Sequence, residues 1–196
     1  MTTDRATEIS LAADRAALLV VDVQDKLARV MDQDQMARLT RNLGILVEAA
    51  RRFSIPVVVS QQYPRGLGGT VAGVEQALAA LPPERLHRFD KVEFSVCAAP
   101  GFAAVEAALD GRDQWIVTGM ETHICVYQSA RALRGGGAAV HVVRDAVISR
   151  TPENRDTGLA LIERAGALIT TTETVVFDLL QRAGSDDFKA LSRLIV

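Results

Sequence analysis

The sequence predicts a three-layer α/β/α sandwich, Rossmann-like, built on a six-stranded and mainly parallel sheet. Two observations carry this. Short apolar runs alternate along the chain with segments whose apolar residues recur three to four apart, the order expected of strand–helix–strand units. The runs are also continuously apolar rather than alternating, as strands covered on both faces are.

Ala16 to Val21 is the first such run and ends in Asp22. Gln33 to Phe53 carries Met36, Leu39, Leu43, Leu46, Val47 and Ala50 at helical spacing. Ile55 to Val59 reads as the second strand, with Pro56 tolerated near its start. Gln61 to Thr70 is rich in Gly and polar residues and reads as a surface loop, leading to a short helix around Val74 to Ala80. Leu86 to Phe89 is a third strand that delivers Asp90 and Lys91 to its carboxyl end. A helix follows Pro100-Gly101 with Phe102, Val105 and Leu109 on one face, and Gln114 to Thr118 is the fourth strand. The next helix begins near Thr122 and stops at Gly135-Gly136-Gly137. Ala138 to Val143 is the fifth strand. Thr151-Pro152, an N-cap followed by Pro at the first helical position, opens a helix to about Ala165. Ala167 to Thr170 gives the sixth strand. Two short helices remain, Glu173 to Arg182 and Asp186 to Leu194.

At 196 residues the chain is expected to form one domain, 1–196, with a full core. It is 48% hydrophobic and 23% charged, with a formal net charge of −2 and no long basic block. That gives no electrostatic reason to expect nucleic acid or a membrane surface as a partner. Asp4, Arg5 and Glu8 precede any apolar run, so no secretory signal is read, and no stretch is long enough to span a membrane. The expected compartment is the cytoplasm. Two cysteines, Cys97 and Cys125, without a CxxC pair and with sparse histidine, argue against both a disulfide framework and a structural zinc site.

The stretch Trp115 to Cys125 concentrates the chemistry. An apolar strand ends at Gly119 and a helix starts with Thr122 as its N-cap, which puts Cys125 at the third helical position. Unpaired N–H groups and the helix dipole favour negative charge there, so the thiol is expected to ionise near neutral pH. Ligands of open α/β sheets bind beyond the carboxyl ends of the strands. Asp22, Lys91 and Cys125 all fall at such ends. Taken singly, Asp22 is a turn residue, Lys91 a solvated charge and Cys125 a packing residue. Taken together, a carboxylate takes and returns the thiol proton while an ammonium stabilises both anions.

Leu18 to Gln24, Lys91 to Ser95 and Gly119 to Val126 resemble, in this order, the three signature blocks of the isochorismatase-like cysteine hydrolases. The resemblance implies a catalytic Asp–Lys–Cys triad at Asp22, Lys91 and Cys125, and a cis peptide at Met120-Glu121. It also implies a homo-oligomer, for which the apolar tail Phe188 to Val196 offers surface. Gln61 to Gly68, Thr170 to Glu173 and Phe188 to Leu191 are most similar to the isochorismatase-domain-containing subgroup. Metal-dependent members hold their ion with an Asp-x-His motif after the second strand. Here that region reads Gln61-Gln62-Tyr63, and no histidine lies between Asp22 and His87, so neither a metal nor another cofactor is expected.

A cysteine at this position favours attack on an amide-like carbonyl or an imine carbon of a small molecule. In this scheme Asp22 deprotonates Cys125, and backbone N–H groups near Met120, Glu121 and Cys125 hold the oxyanion. Asp22 then protonates the leaving amine. Gln24, Tyr63, Phe94 and Gln128 are candidate pocket residues. His123, two residues from Cys125, is read as structural or as a pocket edge, Cys97 as structural, and Asp145 as a turn or helix contact. The competing functions are vinyl ether hydrolysis by Asp22 and Lys91 alone, a binding or scaffold protein that lost turnover, and a thiol-redox role without a resolving cysteine.

Overall fold

A computed structural model describes residues 9–195. The charged residues at positions 4, 5 and 8 and the last residue of the apolar tail, Val196, lie outside the described residues. Six parallel strands form one sheet: β1 (Ala16–Val21), β2 (Val57–Gln62), β3 (Leu86–Lys91), β4 (Gln114–Met120), β5 (Ala139–Ile148) and β6 (Leu168–Thr170). Their order across the sheet is β3-β2-β1-β4-β5-β6. Successive strands are therefore added outward on one side of β1 and, from β4 on, outward on the other, and the crevice at that switch between β1 and β4 is where such sheets bind ligands.

The continuous apolar run of β1 is used on both faces. Ala16, Leu18 and Val20 join one core with Leu39, Leu43 and Leu46 of helix α1 (Gln33–Arg52). Helix α2 (Ala72–Leu78) adds Val74 and Leu78 to that layer. Ala17, Leu19 and Val21 join the opposite core with Phe102 and Val105 of α3 (Phe102–Ala107). The same core takes Ala130 and Leu133 of α4 (Tyr127–Gly135), and Leu159 and Ile162 of α5 (Pro152–Arg164). Removing Leu18 and Leu19 from water contributes roughly 1.5–3 kcal/mol each.

The helix starts follow the expected chemistry. Asp32 accepts from the Gln35 N–H before α1, and Thr151 accepts from the Asn154 N–H with Pro152 at the first position of α5. Thr171 does the same for α6 (Thr172–Leu180). Asp145 accepts from the Thr172 N–H and hydroxyl, the helix contact expected of it.

Three local expectations need correction. The β4 strand does not end before Gly119 but runs on through it to Met120. Its φ of +113° and the 2.0 Å that a Cβ would leave to the Val21 carbonyl show that β4 presses here against the end of β1. β5 is longer than expected because its pairing with β4 breaks between Val142 and Val147 and then resumes to Ile148. The C-terminal helix α7 (Asp186–Ile195) uses its apolar side internally: Leu191 is fully buried, and Phe188 and Ile195 pack with Ile45, Ala49, Val176 and Leu180. That face covers α1 and α6, and of the tail's large apolar side chains among the described residues Leu194 is the exposed one.

Candidate active site

Asp22 leaves β1 with φ +52°, a left-handed conformation that Asp tolerates, and its side chain is fully buried. Ser60 of β2 donates to Asp22 Oδ1 at 2.7 Å, and Lys91 of β3 donates to Oδ2 at 2.6 Å. The β1 and β3 strands are separated by β2, roughly 9–10 Å in all. The long lysine side chain bridges that gap from its register position beside Gln62. The Lys91 ammonium is inaccessible to solvent and also donates to Gln62 Oε1 (2.8 Å) and to the carbonyls of Glu93 (3.1 Å) and Phe94 (3.2 Å). A buried charge is tolerable when its protons are matched in this way. Asp22 directly follows β1 and Lys91 ends β3, and the fold brings the two side chains into contact.

Cys125 follows β4 and is 6% exposed. The helix begins one residue earlier than expected. Glu121 stands at the cap position, and Thr122–Val126 form a π turn in which the Ile124 and Val126 N–H groups both donate to the Glu121 carbonyl, at 3.0 and 3.2 Å. Thr122 is not the cap: its hydroxyl is buried without a hydrogen-bond partner among the described residues. Cys125 is consequently the fourth residue of the helical segment. The peptide between Met120 and Glu121 is cis.

The Asp22 carboxylate and the Lys91 ammonium both act on the Cys125 thiol, and its acidity is the reverse of what the helix start suggested. Burial is the main cause that pushes it up to about 12, and the Asp22 carboxylate adds to the rise, as does Glu121. Lys91 works in the other direction without overcoming them. Desolvation outweighs the dipole because the sulfur lies inside the protein. The resting group is a protonated thiol against an anion, not a preformed thiolate. Cys97, also partly buried, is raised to about 11 by desolvation.

The remaining candidates separate. The Gln24 amide nitrogen donates to the Gln62 and Gly68 carbonyls, and its oxygen accepts from the Gln62 N–H. With the amide so occupied and the residue fully buried, Gln24 ties the 63–70 segment to β2 and is not a free pocket donor. That segment is less irregular than expected, since Pro64–Leu67 makes one helical turn behind Tyr63. Tyr63 and Phe94 are about half exposed, at 54% and 53%. Tyr63 lines a cleft of about 450 Å³ with Pro64, Arg65, Asp90 and Val92, at the β3 edge beside Lys91. Gln128 is half-buried, three residues on from Cys125 on the same side of the helix. His123 Nδ1 hydrogen-bonds Ser149 Oγ at 3.0 Å, consistent with a structural role.

Ser60, Gln62 and Gly158 were missed. The signal for Ser60 was present: a hydroxyl interrupts the run Val57-Val58-Val59 where β2 reaches the level of Asp22. Gly158 had no sequence signal. A Cβ there would stand 2.7 Å from the His123 nitrogen and 2.8 Å from its Cα, so α5 supports the π turn through backbone contact. Gly158→Ala is expected to lower stability by about 1–3 kcal/mol through overpacking. Urea unfolding checks this, and an unchanged midpoint would show that the turn is not held by α5.

Among the described residues, no group of three or more His, Cys, Asp and Glu side chains is arranged to hold a metal ion. No helix among them is long and apolar enough to cross a membrane.

Fold and geometry define a doubly wound α/β protein with a buried carboxylate, ammonium and thiol meeting at the carboxyl edge of its sheet. The chain belongs to the isochorismatase family, whose domain model matches residues 16–174. A secreted isochorismatase effector, Isc1, of Phytophthora sojae is 35% identical over 92% of this chain and 84% of that protein. The MAR1 ribonuclease structure from Caenorhabditis elegans superposes with a TM-score of 0.85 at 34% identity, covering 95% of this chain and 92% of that one. YcaC from Pseudomonas aeruginosa, solved with hexane-2,5-diol and covalent acrylamide, has a TM-score of 0.77 at 25% identity, covering 95% and 96%.

Proposed function

We propose that residues 1–196 form one hydrolase domain that cleaves a small amide-like C–N bond, with Cys125 as nucleophile, Asp22 as proton carrier and Lys91 as the charge that holds Asp22. The observation that carries this reading is the buried Lys91–Asp22 contact of 2.6 Å beside the Cys125 thiol. As sulfur bonds to the substrate carbonyl carbon, its proton passes to Asp22, so no free thiolate has to exist beforehand. That order suits a thiol raised to about 12.

The carbonyl electron pair moves to oxygen. Since Ile124 and Val126 already donate to Glu121, the N–H groups proposed for that oxyanion are those of Glu121, Thr122 and Cys125. Collapse breaks the C–N bond, Asp22 returns the proton to the leaving nitrogen, and an acyl-cysteine remains. Water then gives a proton to Asp22 as its oxygen adds to the thioester carbon, and the acid departs as sulfur regains the proton. Tyr63 and Phe94 are proposed to contact the substrate at the rim.

The covalent acrylamide on the Pseudomonas aeruginosa relative makes amide-bearing electrophiles sensible first probes. The ribonuclease name of the nematode relative suggests a polyanion, but a net charge of −2 favours a small substrate here. Cytoplasmic location and self-association remain part of the proposal.

The test is covalent capture at Cys125. Acrylamide, which adds to sulfur across its C=C bond, is expected to alkylate the peptide containing Cys125, and acid quench during turnover of a panel of small primary amides is expected to leave the acyl mass, less ammonia, on the same peptide; both are expected to vanish in Cys125→Ala. Labelling of Cys97 instead, or equal labelling in the alanine variant, would overturn the reading.

A further inference from the structure

The β2 strand lies between the two charged residues and presents Ser60 and Gln62 two positions apart, hence on the same face. Ser60 holds Asp22 and Gln62 holds Lys91. We infer that Ser60 is a positioning residue: its hydroxyl clamps Asp22 Oδ1 on the β2 side, so that the carboxylate offers the Cys125 sulfur one fixed acceptor. The inference rests on the cysteine-hydrolase reading and adds to it a residue that touches neither substrate nor sulfur.

The geometry separates the two anchors. Ser60 and Lys91 both reach Asp22 from the β2–β3 side, whereas Cys125 comes from β4, on the far side of β1. Ser60 is fully buried, and its register partner is Val21, immediately before Asp22. Lys91 keeps three other acceptors, Gln62 Oε1 and the carbonyls of Glu93 and Phe94, so losing Ser60 does not release the ammonium. What it releases is one carboxylate oxygen. In this inference the freed oxygen turns toward the Cys125 sulfur about the carboxylate's bond to Lys91. The groups whose charge reaches Cys125 are Asp22, Glu121 and Lys91, and only Asp22 is moved by this change.

A carboxylate closer to sulfur makes the thiol harder to ionise and its hydrogen bond stronger. A residue that merely supported packing would do the opposite when removed, loosening the site and exposing the thiol. The sign therefore discriminates. In Ser60→Ala, iodoacetamide is expected to alkylate Cys125 roughly threefold to tenfold more slowly than in wild type at pH 8, resolved by peptide mass spectrometry. Cys97 in the same molecules serves as the reference for general loosening. The infrared S–H band assigned by difference against Cys125→Ala is expected to shift to lower wavenumber, and this measurement needs no reagent access. Ser60→Thr, which restores the hydroxyl, is expected to return both readings toward wild type.

An unchanged or faster alkylation in Ser60→Ala with an unchanged or raised S–H band overturns the positioning role. Asp22→Asn separates this from failure of the underlying reading. That variant is expected to raise the S–H band and speed alkylation, and if it leaves both untouched, the Asp22–Cys125 pairing itself is wrong.

Discussion

Asp22→Asn is expected to cut turnover by about two to four orders of magnitude while making the Cys125 thiol more acidic. The two effects have opposite signs for nucleophilicity, which makes the variant informative. Asp22 is among the causes that hold the thiol at about 12, and Lys91 is the cause that lowers it. Neutralising the carboxylate removes one of the upward causes, so burial and Glu121 alone then oppose Lys91 and the thiol falls. The sign follows directly: the thiol is neutral below its pKa, so a fall in that value increases the thiolate fraction at neutral pH. If a ready thiolate were all that catalysis required, the variant would be faster. Under the proposed mechanism it is slower, because nothing remains to carry the proton to the leaving nitrogen. Thiol titration and turnover of any amide identified by adduct capture check the two halves, and retention of wild-type turnover would dismiss Asp22 as proton carrier.

The second large effect is on stability. Lys91→Met is expected to destabilise the protein by about 3–5 kcal/mol, because it leaves the buried Asp22 carboxylate without its counter-charge, with the Ser60 hydroxyl as its remaining side-chain donor among the described residues. Asp22→Asn is milder, since Lys91 retains Gln62 and two carbonyls. The double variant Asp22→Asn/Lys91→Met is expected to recover part of the loss, because neither site then holds an unpaired charge. Denaturant midpoints at neutral pH measure all three. A double variant less stable than Lys91→Met would show that the pair is not the source of the penalty. The same lysine variant should push the Cys125 thiol higher still, since the one stabilising charge is gone.

The exposed arginine pairs, such as Arg15–Asp113 and Arg88–Glu75, contribute little by comparison, because solvent screens them. The difference between these and Lys91–Asp22 is burial, not distance: the contacts are 2.7, 2.7 and 2.6 Å.

Much of this was legible along the chain. The apolar runs of β1, β2 and β4 and the periodicity of α1 reflect burial on both faces of a sheet and on one stripe of a helix, and those requirements are local in sequence. The caps at Thr151 and Asp32 act within three residues, so they too can be read directly. The candidate residues Asp22, Lys91 and Cys125 were identifiable because each ends a strand or follows one. The acidity of Cys125 was not. A helix start suggested a low pKa, yet its environment is set by how deeply the sulfur is buried and by a carboxylate from another strand. Gln24 likewise looked like a pocket residue until its amide was seen to hold Gln62 and Gly68.

By itself, then, the order of apolar and polar residues determined a doubly wound sheet and the three strand ends on which a reactive group would stand. Only the tertiary structure decided how those groups behave. It set β2 between Asp22 and Lys91, brought in Ser60 and Gln62 as their anchors, and let Gly158 carry α5 onto the turn that holds Cys125. Spacing along the chain governs local geometry, whereas desolvation and charge pairing depend on neighbours that the fold collects from distant segments.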